Sequence, residues 1–412
     1  MSDWRDLSVW ERLEAEGAEL LALADAALPE GAVAATPAVT ARLRRGRDAA
    51  LVSAALELVA ARRKARLKLD GADQLWCDLA GVEQASDGRV AAWKAARMRE
   101  TLGEGGEILD LCSGIGGDAM ALCAAGLTVT AVDLDARRAW MTARNARCRT
   151  VVGEAESIAI AGVAMHADPA RRDEKGGGRS WSLDDHRPGR AWIERALREP
   201  SAAAIKFSPG VDRAAFGGAP VEWEWIESDG SLVQAVAWCG RFARAPRSTR
   251  ATRLSRAGEP MTIAGAPDDA RADALRADGA LRAGQWLGEP SPALERARLL
   301  TEALAGSGSR EIAPALGLVA CDGRSPSPWF EWFRFVGEVT GRADAIPRLV
   351  VELAATHGAT GEVRSVRVRG GAVDADALTR ALSCRPQGRF VVFAWRDGGK
   401  ARVALTEMAD HP

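Results

Sequence analysis

The chain has 412 residues, 55 basic and 56 acidic side chains, and 47% hydrophobic residues, enough to bury a sizeable core without disulfides or metal. No apolar run approaches the ~18–20 residues of a membrane span, and the acidic start MSDWRDLSVWERLEAEG lacks the order of a signal peptide. Seven cysteines with no CxxC pair, and four scattered histidines, argue for reduced thiols in the cytoplasm and no metal site.

In chain order, residues 1–68 read as helical. Leu13, Leu20, Leu21, Leu23 and Leu28 recur at helical spacing until Pro29-Glu-Gly31, and Ala49 to Leu69 forms a second helix. Residues 1–30 carry eight acidic and two basic groups, and residues 42–68 carry nine basic and two acidic. Such a flip fits helices facing each other or solvent, or a basic face for a polyanion. From about 105 to 257, short apolar runs alternate with helical stretches. Ile108–Leu111, Val129–Val132, Ala164–Ala167, Ala202–Phe207 and Leu232–Trp238 read as strands, and 118–125 and 136–147 as helices. The alternation predicts an α/β fold with a parallel sheet. Residues 258–290 read as a connector, and Pro292 to Ala305 as a helix. SPSPWFEWFRF at 325–335 is an aromatic-dense entry to a last unit, which alternates Val363–Val368 (strand), Asp374–Leu382 (helix) and Phe390–Trp395 (strand).

The sharpest signal is the strand-to-helix turn ILDLCSGIGGDA at 108–119. Gly114, Gly116 and Gly117 let the backbone turn tightly and approach a ligand at a helix N-terminus. Asp133 ends the next strand, 19 residues beyond Gly114, where a carboxylate can accept from both hydroxyls of an adenosine ribose. Gly114-x-Gly116-x-x-Ala119 also satisfies a dinucleotide fingerprint. Against a dinucleotide stand Asp110, at the end of the strand where S-adenosylmethionine enzymes place an acidic residue facing the amino-acid end, and Asp168-Pro169 after the fourth strand.

LDLCSGIGGDAMALCAAGLTVTAVDLDARRAWMTARNA resembles the cofactor half of class I methyltransferases, particularly the trimethylguanosine synthase branch. More of the chain resembles uncharacterised methyltransferases with a C-terminal THUMP-like domain. The matching stretches are RRKARLKL and GVEQAS within 62–86, ADPARR at 167–172, AIKFSPGVD at 204–212, AVAWCG at 235–240, GQWLGEPSPALERA at 284–297 and GEVRSVRVRGGAVDADAL at 361–378. The resemblance covers nearly everything after residue 50. It implies a helical region at 1–88, a class I (Rossmann-like) methyltransferase domain at 89–257, a connector with a helix at 258–335, and a small α+β THUMP-like domain at 336–412. It also implies S-adenosyl-L-methionine as cofactor, held by Asp110, Cys112, Gly114, Gly116, Gly117, Asp118, Asp133 and Leu134.

In methyltransferases acting on exocyclic or ring nitrogens, Asp or Asn followed by Pro-Pro-aromatic closes over the base. Asp168-Pro169 keeps the acceptor and rigid turn, whereas Ala170-Arg171-Arg172 has no aromatic. Arg171 or Arg172 can stack on a base or pair with a phosphate. DEKGGGRSWSLDDHRPGR at 173–190 reads as a mobile loop beside the site, with Trp181 a stacking candidate and His186 a proton-acceptor candidate. Lys206, ending the fifth strand, can meet a phosphate or Asp168. The catalytic set is thus Asp168, Pro169, Arg171 and Lys206. Cys239 reads as strand core, against carbon methylation. Six arginines at every third position from 241 to 256, and Arg364, Arg367 and Arg369 on one strand, offer phosphate contacts. The expectation is methylation of an RNA base nitrogen, in tRNA or rRNA, with no membrane or metal partner. The alternatives are a small-molecule or protein methyltransferase, and an RNA-associated cofactor-binding protein without turnover.

Overall fold

The computed structural model describes residues 3–29, 31–171, 183, 186–256, 258–267, 281–312, 316–323, 327–397 and 399–409. They divide into two compact units, Met1–Ser248 with Arg253–Pro260, and Thr249–Thr252 with Met261–Pro412.

The first unit opens with α1 (Leu7–Glu16), α2 (Ala18–Ala27), α3 (Pro37–Leu43) and α4 (Ala49–Ala65). The leucine period predicts one helix as far as Pro29, but the helix breaks at Gly17. A Cβ there would lie 2.4 Å from Leu13 Cδ1, so only glycine fits the junction. Thr36 and Asp48 cap α3 and α4 by accepting from backbone N–H groups of the first turn. Val9, Trp10 and Leu13 of α1, Leu20 of α2 and Leu56 and Leu58 of α4 share one core. Part of the charge flip is spent inside this bundle. Arg63 of α4 donates to the Asp25 carboxylate at 2.9 Å and to the Leu28 and Pro29 carbonyls at the end of α2. Arg12 pairs with Asp48 at 3.0 Å. Two further helices, α5 (Leu79–Gln84) and α6 (Gly88–Leu102), lead into the sheet.

The sheet strands of this unit are β1 (Glu107–Leu111), β2 (Thr128–Asp133), β3 (Arg149–Val152), β4 (Ala164–Ala167), β5 (Ala202–Phe207), β6 (Glu222–Ser228) and β7 (Ser231–Gly240). Their order is β3-β2-β1-β4-β5-β7-β6, with β7 antiparallel to both neighbours and the other pairs parallel. This is a Rossmann-like sheet with α7 (Gly117–Ala124) and α8 (Ala136–Ala146) as the first crossovers. The five strands expected from apolar runs are all present. The EWEWIES strand was hidden by its glutamates. All seven of its residues are buried, and Arg97 of α6 reaches Glu222 at 2.7 Å and Glu224 at 3.4 Å.

The second unit contains β8 (Trp286–Pro290), β9 (Arg310–Glu311), β10 (Val319–Cys321), β11 (Phe330–Gly341), β12 (Val363–Val368), β13 (Phe390–Asp397) and β14 (Lys400–Met408), in the order β9-β10-β8-β11-β14-β13-β12. The expected helix at 292–305 is divided into Pro292–Ala297 and Leu300–Ala303 by Arg298, whose φ of 54° is left-handed. Arg367 and Arg369 are not free for phosphate. Arg367 pairs with Glu289 and Glu331, and Arg369 with Glu289 at 3.1 Å and Glu295 at 2.6 Å.

Candidate active site

The cavity lies over the C-terminal ends of β1, β2, β4 and β5, where open α/β sheets bind ligands. Its volume is 730 Å³, in the range of small-molecule and cofactor sites. Asp110, Cys112, Gly114, Gly117, Asp118, Asp133, Leu134, Asp168, Pro169 and Lys206 all line it. Gly116 does not line it but shapes the turn. Its φ is +86°, and a Cβ would come within 3.1 Å of Thr142 on α8. Gly114 is also left-handed, at φ +59°, with open space where a Cβ would be. Cys112 takes φ 60° without being glycine, a strained conformation at the start of the turn.

Asp133 ties this turn to β2. Its Oδ2 accepts the Gly114 N–H at 2.7 Å and its Oδ1 the Asp135 N–H at 2.9 Å. Burial raises its carboxyl pKa, and those two N–H groups offset part of the rise.

Register explains what surrounds Asp110. On the parallel strands β1 and β4, Asp110 is the partner of His166, so both side chains leave the same face. His166 Nδ1 lies 2.7 Å from Asp110 Oδ1, and its Nε2 lies 3.2 Å from Lys94 Nζ of α6. Lys94 in turn pairs with Asp118 Oδ1 at 2.7 Å, and Ser86 donates to Asp118 Oδ2 at 2.8 Å. Burial would raise the Asp118 carboxyl, but the nearby charges of Lys94, His166 and Lys206 outweigh it and hold it well below the usual range. Asp110 is raised by burial, with His166 opposing. Its Oδ2 is buried and has no hydrogen-bond partner among the described residues. That unpartnered acceptor, on a residue lining the cavity beside the glycine turn, fits a ligand carrying a cationic N–H donor.

The other end of the cavity is built by Asp168 and Lys206. Lys206 Nζ lies 2.6 Å from Asp168 Oδ2 and 3.1 Å from the Gln84 carbonyl. Burial disfavours the ammonium, yet Asp168 and Asp118 outweigh it and raise the Lys206 pKa. Lys68 joins from the segment after α4, donating to the Ala85 carbonyl at 2.7 Å and the Glu83 carbonyl at 3.2 Å. Burial, with Lys206 adding repulsion, pushes Lys68 down to about 8.

The sequence reading missed Lys68, Ser86, Lys94, His166 and Gln234. Only His166 carried a signal: it stands on a strand two residues before Asp168, and so on the same face of the sheet. Arg171 forms a two-residue strand, 170–171, against 186–187, but its side chain lies outside the described residues, as do Arg172 and Trp181. His186 is buried, lines the cavity and meets Phe207 edge-on, with ring centroids 5.9 Å apart. Cys239 is buried in β7, and burial pushes its thiol up to about 12, so it supplies no thiolate. Of the arginines at 241–256, Arg244 pairs with Glu100, Arg253 with Glu227 at 2.6 Å and Arg256 with Asp229 at 3.4 Å. Among the described residues, no group of His, Cys, Asp and Glu is placed to hold a metal ion, and no helix is long and apolar enough to cross a membrane.

No family model matches the chain. An uncharacterized S-adenosylmethionine-dependent methyltransferase of Mycobacterium tuberculosis, from strains CDC 1551 and H37Rv, is 27% identical over 341 residues, covering 80% of this chain and 87% of the relative. The crystal structure of a putative methyltransferase from Porphyromonas gingivalis W83 superposes with a TM-score of 0.68 at 15% identity, covering 95% of this chain and 98% of that one. That likeness shows the class I methyltransferase fold.

Proposed function

We propose that this S-adenosylmethionine-dependent methyltransferase acts on a nitrogen of an RNA base, in tRNA or rRNA, and works in the cytoplasm. The observation that carries the nitrogen assignment is the Asp168–Lys206 pair at 2.6 Å, set in the cavity that also holds the glycine turn. A carboxylate there accepts a hydrogen bond from an amine, orienting its lone pair. The neighbouring ammonium holds that carboxylate in place. Pro169 makes the turn after Asp168 rigid. The chemistry the cofactor supplies is an electrophilic methyl group on a sulfonium.

The residues present fit the cofactor. Asp110 Oδ2 is an unpartnered buried acceptor for its amino group, with Asp118 and Cys112 beside it. Gly114, Gly116 and Gly117 let the turn's backbone approach the cofactor closely. Asp133, whose oxygens each accept one N–H, retains lone pairs for ribose hydroxyls, and Leu134 offers apolar contact. Among the described residues that line the cavity, Cys112 is the cysteine, and burial holds it well above its ordinary pKa, which favours nitrogen over a pyrimidine carbon.

RNA as acceptor is supported by the resemblance of 361–378 to a THUMP-like module, with Arg241 and Arg247 exposed and outside any ion pair among the described residues. Arg171 is proposed to contact base or phosphate. The pairing of Arg367 and Arg369 with glutamates keeps open the second reading, a small-molecule or protein acceptor. Tritiated methyl transfer onto total RNA from a strain deleted for this gene tests the proposal. Label in RNA is expected; label in protein or metabolites alone overturns the RNA assignment.

A further inference from the structure

Gln234 is the second buried polar group of the cavity left incomplete. It lies on β7, is 2% exposed and lines the cavity. Its Oε1 lies 3.4 Å from Ser86 Oγ, whereas its Nε2 has no partner among the described residues. A buried amide N–H without a partner costs stability, so its presence beside a ligand cavity points to a ligand that completes it.

Register places this amide. Lys206 of β5 is the partner of Val236 of β7, and Gln234, two residues from Val236, leaves the same face. Ala167 of β4 pairs with Ile205, which sets Asp168 beside Lys206 on that face, as their ion pair confirms. Asp168, just after β4, and Gln234 of β7 therefore flank Lys206 on the same face, roughly 10 Å apart across the sheet at about 4.8 Å per strand. One supplies an acceptor and the other a donor.

We infer that Gln234 is a specificity-determining residue for the methyl acceptor, and that the acceptor is an amine next to a hydrogen-bond acceptor atom. The inference rests on the proposed amine transfer at Asp168. The amine N–H meets the Asp168 carboxylate, and the adjoining ring nitrogen or carbonyl oxygen accepts from Gln234 Nε2. Adenine N6 beside N1 or N7, and cytosine N4 beside N3, present that pair on one edge; a lysine or N-terminal amine does not. A site that hydrogen-bonds its substrate rejects analogues lacking the partner atom far more strongly than an apolar pocket does.

The test uses the full-length protein, tritiated S-adenosylmethionine, and separated RNA, protein and metabolite fractions from the deletion strain. Labelled products are hydrolysed and the methyl group located by mass spectrometry. The inference expects the methyl on an amine flanked by an acceptor atom, whichever fraction carries it. A methyl on oxygen, carbon, sulfur or an isolated aliphatic amine overturns it. Such a methyl on a small-molecule base would overturn the RNA proposal while sustaining the inference, and no transfer to any fraction overturns both. Gln234→Leu and Gln234→Glu are then compared on the labelled fraction. Each should lower kcat/KM by about 10- to 100-fold, with S-adenosylhomocysteine affinity within about two-fold of wild type. Should Gln234→Leu fail to fold, Gln234→Glu remains. It keeps the shape and replaces the donor with an acceptor. Wild-type kcat/KM in Gln234→Glu, or an equal loss of cofactor affinity, would overturn the assignment.

Discussion

Lys206 Nζ bridges Asp168 Oδ2 at 2.6 Å and the Gln84 carbonyl at 3.1 Å, joining the end of β5 to the turn after β4 and to the end of α5. The segment from Gln84 to Asp87 lines the cavity along with the glycine turn. Residues ahead of the sheet therefore help to line the cavity.

On the proposed function, that bridge serves turnover and not cofactor binding. Asp168→Ala and Lys206→Met should leave S-adenosylhomocysteine affinity within about three-fold of wild type, while turnover falls by about 100-fold or more for Asp168→Ala and 10- to 100-fold for Lys206→Met. Asp133→Ala should do the reverse, since it frees the Gly114 N–H and removes the acceptor at the end of β2. Calorimetry with S-adenosylhomocysteine, alongside single-turnover methyl transfer, distinguishes them. Equal losses of binding in Asp168→Ala and Asp133→Ala would contradict this division.

The two left-handed glycines should respond differently to alanine. Gly114→Ala meets no atom within 4 Å and bears only the left-handed backbone cost, about 1 kcal/mol. Gly116→Ala bears that cost and also drives its Cβ to 3.1 Å from Thr142 backbone and side chain, so a loss of about 2–4 kcal/mol is expected. Urea denaturation of the two variants checks the order.

Much of this was legible in the sequence because β1, β2, β4 and β5 are largely buried and read as mostly apolar runs. Asp110, Asp133, Asp168 and the glycine turn sit at strand ends, where the chain pattern exposes them. His166, Lys94 and Gln234 stayed hidden, because their meaning comes from register and from packing between residues distant in sequence. Glu222, Glu224 and Glu227 misled in the opposite sense: glutamates at such positions suggest solvent, yet all three are buried. Gly17 ended a helix whose leucine period ran past it, a steric matter that periodicity does not see.

Lys68 gives the pH dependence. Its folded pKa, about 8, lies below the ordinary 10.5 of an unfolded lysine. Between these values the unfolded chain holds more protons, so stability from this group rises as pH climbs from about 8 to 10.5. Below pH 8 both states are protonated and the cost of the half-buried ammonium is fully present. Wild type should therefore gain on Lys68→Gln by about 1 kcal/mol between pH 7.5 and 10.5, solvent screening included. Melting curves of both proteins at several pH values measure the difference, and parallel profiles would contradict it.

Arg97 provides the sharpest stability prediction. It is 4% exposed, donates to Glu222 at 2.7 Å and to the Phe242 carbonyl at 2.7 Å, and lies over the Trp238 ring at 4.1 Å. Burial lowers its pKa, with Glu224 and Glu222 opposing. Arg97→Met removes the guanidinium from beside two carboxylates at 0% exposure, which should destabilise the unit by about 3–5 kcal/mol. Adding Glu222→Gln and Glu224→Gln removes those two buried charges. The amide oxygens still accept from Trp238 Nε1 and from the Arg244 N–H, so stability should recover by at least half. If the triple variant unfolds at the same urea concentration as Arg97→Met, the loss comes from packing around the missing guanidinium rather than from buried charge.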